Sequence, residues 1–338
     1  MCAGRLTKET PIKTRRQFVQ TLSALGALGS ATWPFVLHAQ ALDVCKIISG
    51  FPPGGTVDSL ARRVADKLRG SYCNTVLVEN KPGAAGQIGV ITLRDSKPDG
   101  SAMLLTPSSM LSIYPFTYPK LQYKLEDVMP VSVGGFINHG LAVGPAVPES
   151  VKTLKDFLAW SKANPEKASY GSPGAGSMPH MIGALLTRAS GTELRHVAYR
   201  GAAPGVQDLL GGQIAAFLGP IGDFIPHQKS GRLRVLAISG KERSPFLPSV
   251  PSLRELGYAI TVREWYAFFL PKGTAPETVQ RASSSLKTAL AQPDVIEAGK
   301  QFGVEVESSS AQALAELLKA DANEWRELIK EIGFTAES

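Results

Sequence analysis

Apolar positions along the chain repeat one design twice, and each copy turns on a glycine-rich loop. Val57, Leu60, Ala61, Val64, Ala65 and Leu68 recur at i, i+3, i+4, i+7, i+8 and i+11, one face of an amphipathic helix. Val44, Ile47 and Ile48 before them read as a buried strand, and Phe51-Pro52-Pro53-Gly54-Gly55-Thr56 joins the two. Thr56 is placed to cap the helix, and Asp58 puts a carboxylate in its first turn, where it is expected to brace its own loop. Gly54 and Gly55 carry no side chain to keep an anion from the free N–H groups of the helix start. The design returns at 169–190, where Met178, Met181, Ile182, Leu185, Leu186 and Ala189 follow the loop Ser172-Pro173-Gly174-Ala175-Gly176-Ser177. Two such starts in one chain suggest that they face each other.

Between and after them, strand, loop and helix alternate. Apolar, β-branched runs at 75–79 and 102–105 predict strands, with a glycine-bearing turn at 80–86, a helix at 88–94 and a polar loop at 106–109. The economical architecture is a parallel sheet. The apolar, glycine-bearing stretch 131–143, broken by Asn138 and His139, reads as a crossover into a second domain. That domain holds a helix near 153–162, strands at 195–197, 214–218 and 233–238, and helices at 206–210 and 224–229. A proline- and charge-rich surface connection at 239–257 leads into the aromatic strand 265–270, which returns the chain to the first domain. Leu314, Leu317, Leu318, Trp325, Leu328, Ile329 and Ile332 share one face of a C-terminal helix, interrupted at Asp321.

The composition, 43% hydrophobic and 19% charged over 338 residues, is that of a globular chain of two or three domains. No apolar run of about 20 residues follows residue 40, so no transmembrane helix is expected in the mature chain. The N-terminus is of another kind. Arg15-Arg16 precede a weakly apolar run to Leu37 and the cleavage-like Ala39-Gln40-Ala41, which reads as a twin-arginine export signal over 1–41 and places the mature chain in the periplasm. Its removal takes away Arg5, Lys8, Lys13, Arg15, Arg16 and Glu9, so 36 basic against 29 acidic residues become 31 against 28. So mild a charge, with no basic stripe, argues against nucleic acid and suits a small anionic ligand.

Cys45 and Cys73 remain after export, in no metal-ligand spacing and in no C-x-x-C pair. Neighbouring parallel strands would bring them to one sheet end, so a disulfide is expected, with two free thiols as the alternative. No metal and no cofactor are predicted. His180, on the first turn of the second helix, is read as a capping histidine; His139, His196 and His227 are given no chemistry. A hydrolase using Ser172 or Ser177, with His180 and Asp223 completing a triad, is the competing class. Neither serine lies in a Gly-x-Ser-x-Gly elbow and the chain has no phosphate-loop motif, so no enzyme is predicted.

FPPGGTVDSLARRVADKL at 51–68, VENKPGAAGQIG at 78–89, KPDG at 97–100, SYGSPGAGSMPHM at 169–181, YRGAAPGVQDLLGGQI at 199–214 and AISGKERSPFLPSVPSLRELG at 237–257 resemble, in this order, the Bug-type periplasmic solute receptors of tripartite tricarboxylate transporters. The resemblance implies an α/β, two-domain periplasmic binding protein fold with two crossover segments and a ligand cleft between the domains. Residues 42–139 plus 264–338 would form domain I and residues 140–263 domain II. It implies a monomer that captures a small organic acid and delivers it to two membrane permease subunits; a ligand sensor for a signalling system is the alternative. Carried onto matching positions, the site comprises Phe51, Gly54, Gly55 and Thr56 of the first loop, Ser172, Gly176 and Ser177 of the second, Ala202 of a third, and Ser108 and Trp265. Phe217-Leu218-Gly219-Pro220 lacks the acidic and polar residues common there in the family, and Asn138 and His139 replace apolar ones. A less polar distal end is therefore expected, favouring a monocarboxylate, an aromatic acid or an amide relative over a citrate-like triacid.

Overall fold

The computed structural model describes residues 42–336 together with Met1; the twin-arginine segment lies outside the described residues. β1 (Leu42–Ser49) pairs in parallel with β2 (Cys73–Asn80) on one side and β3 (Ala102–Pro107) on the other. β10 (Glu264–Pro271) then runs antiparallel between β3 and β4 (Val128–Ile137), and β11 (Val304–Val306) adds the edge, giving a six-stranded sheet in the order β11-β4-β10-β3-β1-β2. The second sheet, β7-β6-β8-β5-β9, is built from β5 (His139–Val143), β6 (Ser169–Ser172), β7 (Arg195–Ala198), β8 (Ala216–Pro220) and β9 (Arg234–Ile238). Both sheets are mixed where a parallel sheet was expected. The crossover strands β5 and β10 run against their neighbours because each arrives directly from the other lobe, without a helical return.

The helical periodicities carry the packing. In the Thr56–Leu68 helix every position of the predicted apolar face is buried, against β1 and the Pro276–Leu290 helix. The Met178–Ser190 helix buries Met178, Met181, Ile182 and Leu186, while Leu185 is half-buried and Ala189, near its end, is exposed. The Ala311–Ile332 helix lies on β4 with Leu314, Leu318, Trp325 and Ile329 buried. Val44, predicted inside, is 57% exposed, since the alternation that buries Cys45 and Ile47 turns it outward.

Chain crossings are short. β4 passes into β5 through the single residue Asn138, and the return from β9 to β10 runs through 239–263, where Ser239 exchanges backbone bonds with His139 and Val262. The C-terminal ends of β1, β3, β6 and β8 all point into the gap between the sheets, the usual place for a ligand in open α/β folds.

Cys45 and Cys73 are joined by a disulfide, their Cα atoms 6.1 Å apart, closing 28 residues between β1 and the start of β2. Loop closure of that length contributes about 3–4 kcal/mol through the unfolded chain. Unreduced mature protein is expected to titrate no thiols when denatured, and the Cys45→Ala/Cys73→Ala variant to unfold at clearly lower urea; two titratable thiols, or an unchanged urea midpoint, would contradict this.

Candidate functional site

The first loop is held by its own acid. Gly54, at φ +90°, donates its N–H to Asp58 Oδ2 (3.0 Å), and Asp58 also takes Arg62 (2.9 Å to each oxygen) and the Asn80 amide (2.8 Å). Burial pushes the Asp58 carboxyl up, but the bonds from Arg62, Gly54 and Asn80 prevail and hold it below the ordinary carboxylate range. Asp58 thus braces the loop, and the Gly54 N–H is turned to it. The helix starts one residue earlier than predicted: Gly55 occupies the cap, and Thr56 is the first helical residue. Its hydroxyl is consequently free of capping and donates to Asp223 Oδ1 (3.1 Å), from beyond β8 in the other lobe.

In the second loop Ser177 is the cap residue, with its hydroxyl donating to the Gly174 carbonyl (2.7 Å), and the Met178 N–H reaches across to Ser109 Oγ (3.1 Å). Gly176, at φ +68°, donates to His180 Nδ1 (3.0 Å) and packs against Thr117, Tyr118 and Ala336, away from the gap. His180 therefore caps its loop, as its position predicted. It stacks on His196 with ring centroids 3.5 Å apart, and His196 Nε2 lies 2.7 Å from Ser172 Oγ. Burial, reinforced for His180 by its neighbour, pushes the two imidazoles down to about 3 and about 4. The imagined triad is not assembled: Ser172 is bonded to His196, His180 to Gly176, and Asp223 to Thr56.

A third start, the Ala202–Leu210 helix, follows Gly201. A Cβ on Gly201 would stand 2.6 Å from Pro52, and one on Gly174 would stand 2.6 Å from the Cβ of Ala85, so glycines of the second lobe let first-lobe loops close onto it. Between them lies a partly open cavity with about 50 Å³ of free space, room for a few waters.

Phe51, Gly55, Thr56, Ser177 and Ala202 line this cavity, whereas Gly54, Ser108, Ser172, Gly176 and Trp265 do not. The last group is displaced by alternation and by loop curvature. In β10, Glu264 and Tyr266 face the space and Trp265 turns the other way; after β3 it is Ser109, not Ser108, that reaches it. No lysine or arginine lines the cavity among the described residues.

The cavity's exposed lining is mostly apolar, as Gly219 and Pro220 lead one to expect, but its far wall also carries buried polar groups. Pro220 does line it, but His139, Asp223 and Glu264 stand beside it. Glu264, 2% exposed, accepts from the Ser109 N–H (3.2 Å) and hydroxyl and from His139 Nε2 (2.9 Å). Burial pushes the Asp223 carboxyl up to about 6 against the pull of Thr56 and His139, and its Oδ2 has no partner. His139, singled out in the sequence only as a departure, and Glu264, given no role there, are joined because β4 and β5 flank the one-residue crossover and β10 pairs Glu264 with Ile137.

Residues 60–334 match the model of the tripartite tricarboxylate transporter family receptor. The chain belongs to this receptor family. It is 33% identical to Protein BugT of Bordetella pertussis over 319 residues, 94% of this chain and 95% of that protein. It is also 33% identical to a protein of the tcbD-tcbE intergenic region of Pseudomonas sp. strain P51 over 289 residues, 85% of each chain. Among solved structures, the periplasmic binding protein BugD superposes with a TM-score of 0.81 at 30% identity, covering 87% of this chain and 99% of that one. In this family member, then, the second loop is closed by a pair of neutral, stacked histidines.

That pair makes stability depend on acid. Unfolded histidines take up protons near pH 6.5, the folded pair only near 4 and 3, so their contribution is complete above pH 6.5 and is lost as the pH falls toward 4. Each histidine should cost up to about 2 kcal/mol between pH 7 and pH 5. Urea unfolding at both pH values is expected to show a loss in the wild type that shrinks in His180→Gln/His196→Gln; an equal loss in both would refute the assignment.

Proposed function

We propose that the chain is a periplasmic receptor that captures a small carboxylate in the inter-lobe cavity and delivers it to two membrane permease subunits. The observation that carries this is the convergence of three helix starts, at Thr56, Met178 and Ala202, on one cavity with Gly55, Ser177 and Ala202 on its wall. First-turn N–H groups have no intrahelical acceptor, and the dipoles favour negative charge, so a carboxylate can be held without an arginine. Family membership supports the reading, as does the likeness to BugD, described as a periplasmic binding protein. Of the residues proposed from the resemblance, Phe51, Gly55, Thr56, Ser177 and Ala202 remain as direct contacts; Gly54, Ser172 and Gly176 act by holding the loops, with Ser108 and Trp265 behind the wall.

Gly55 gives the decisive test, because its φ is −82° and a Cβ there meets nothing within 4 Å. Gly55→Leu should fold normally and place a bulky side chain on the cavity wall. Calorimetry of ligand-stripped protein against small mono- and dicarboxylates is expected to show binding to the wild type weakened more than tenfold in Gly55→Leu, about 1.4 kcal/mol or more. Undiminished binding would remove the cavity from consideration.

Export by the twin-arginine route is part of the proposal. Arg15→Lys together with Arg16→Lys should leave the precursor in the cytoplasm, as cell fractionation would show; normal processing would assign a general secretory signal instead.

A further inference from the structure

The second loop is gripped from the opposite lobe as well as from its own. The Ala311–Ile332 helix packs in the first lobe and ends at Gly333, whose φ of +64° is a left-handed turn that glycine takes without strain. That turn sends residues 334–336 off the helix toward the second lobe. The Phe334 ring meets the His180 ring edge to face, with centroids 4.8 Å apart, while the Phe334 N–H still bonds to the Ile329 carbonyl (3.3 Å). The ring is thus tied to the helix end. Two residues on, Ala336, 5% exposed, donates its N–H to the Thr117 carbonyl (3.0 Å). Gly176 of the second loop lies against this tail: a Cβ there would stand 3.0 Å from Tyr118 and 3.1 Å from both Ala336 and Thr117, all of the first lobe. The Tyr118 hydroxyl adds a bond to the Ala175 carbonyl (2.6 Å). From the other side Gly176 donates to His180 Nδ1, so His180 touches the loop and the tail at once.

We propose that residues 333–336 position the second ligand loop, Phe334 acting through His180 and Ala336 against Gly176, so that the end of a first-lobe helix sets how Ser177 is presented to the cavity. Phe334, Ala336, His180 and Gly176 do not line the cavity, whereas Ser177, the next residue, does. Glycine has the largest conformational freedom to lose, and the loop carries two, Gly174 and Gly176, just before its helix. Contacts from both sides of Gly176 remove that freedom before a ligand arrives, and a preorganised loop binds with less entropic cost. The proposal concerns the loop itself and rests on carboxylate capture only for its consequence in binding.

Amide hydrogen exchange on ligand-stripped mature protein tests this in the wild type, in Phe334→Ala, in Phe334→Tyr and in a chain shortened by residues 334–338. The Gly176 and Ser177 amides are expected to exchange about tenfold faster or more in Phe334→Ala and in the shortened chain, with β10 and the Thr56 helix start unchanged. Phe334→Tyr keeps a ring on His180 and should behave as the wild type. Any of the mono- and dicarboxylates that test Gly55 and bind the wild type should bind Phe334→Ala about threefold more weakly or worse. Unchanged loop exchange in Phe334→Ala would overturn the proposal, as would faster exchange spread equally over β10 and the first helix start. Faster loop exchange with undiminished affinity would overturn it too. If the wild type binds none of the acids, carboxylate capture fails instead, and the exchange result alone decides the role of the tail.

Discussion

Glu264 is the group on which the arrangement of the cleft depends. A carboxylate buried this far from water persists only when its oxygens are taken, and each of its partners comes from a different part of the chain. Ser109 belongs to the turn after β3, His139 to the first residue of the second lobe's sheet, and Glu264 itself to the returning strand. Through Ser109 Oγ the network reaches the Met178 N–H, and through the His139 backbone it reaches Ser239 in the second crossover. Both crossings and the second helix start are thus fixed to one acid, and loss of any partner would leave a buried carboxyl oxygen short of a hydrogen bond.

The helix starts are less open than their glycines suggest. At the first, Asp58 consumes the Gly54 N–H and Asp223 takes the Thr56 hydroxyl; at the second, Ser109 consumes the Met178 N–H and His180 that of Gly176. Pro52, Pro107, Pro173, Pro179 and Pro220 line the cavity and bring no donors. The cavity therefore offers few free donors.

The two strand–loop–helix units were legible in the sequence because burial of one helix face demands the spacing seen at Val57 to Leu68 and at Met178 to Leu186. The place of the crossover was legible too, since Asn138 and His139 interrupt an apolar run where the chain changes sheets. The far wall was not. Glu264 lies 125 residues from His139 and 155 from Ser109, and nothing local to any of them encodes the pairing of β10 with β4 that brings them together. Ser108 against Ser109 and Trp265 against Glu264 and Tyr266 are one-residue questions of pleat and turn, which composition does not answer.

Asp223 shows how such long-range placement changes what a loop does. In sequence it follows a strand whose end, Gly219-Pro220, has no polar side chain, which argues for an apolar pocket. In the fold the short turn Ile221–Asp223 carries the carboxylate back over that end and sets it against the Thr56 helix start of the opposite lobe. Its charge is thereby held by a hydroxyl and a helix dipole while burial works against it, leaving a carboxyl that titrates near 6 rather than near 4. The polarity absent from β8 is restored three residues later, on the cavity wall, by a group that bridges the two lobes through its bond with Thr56.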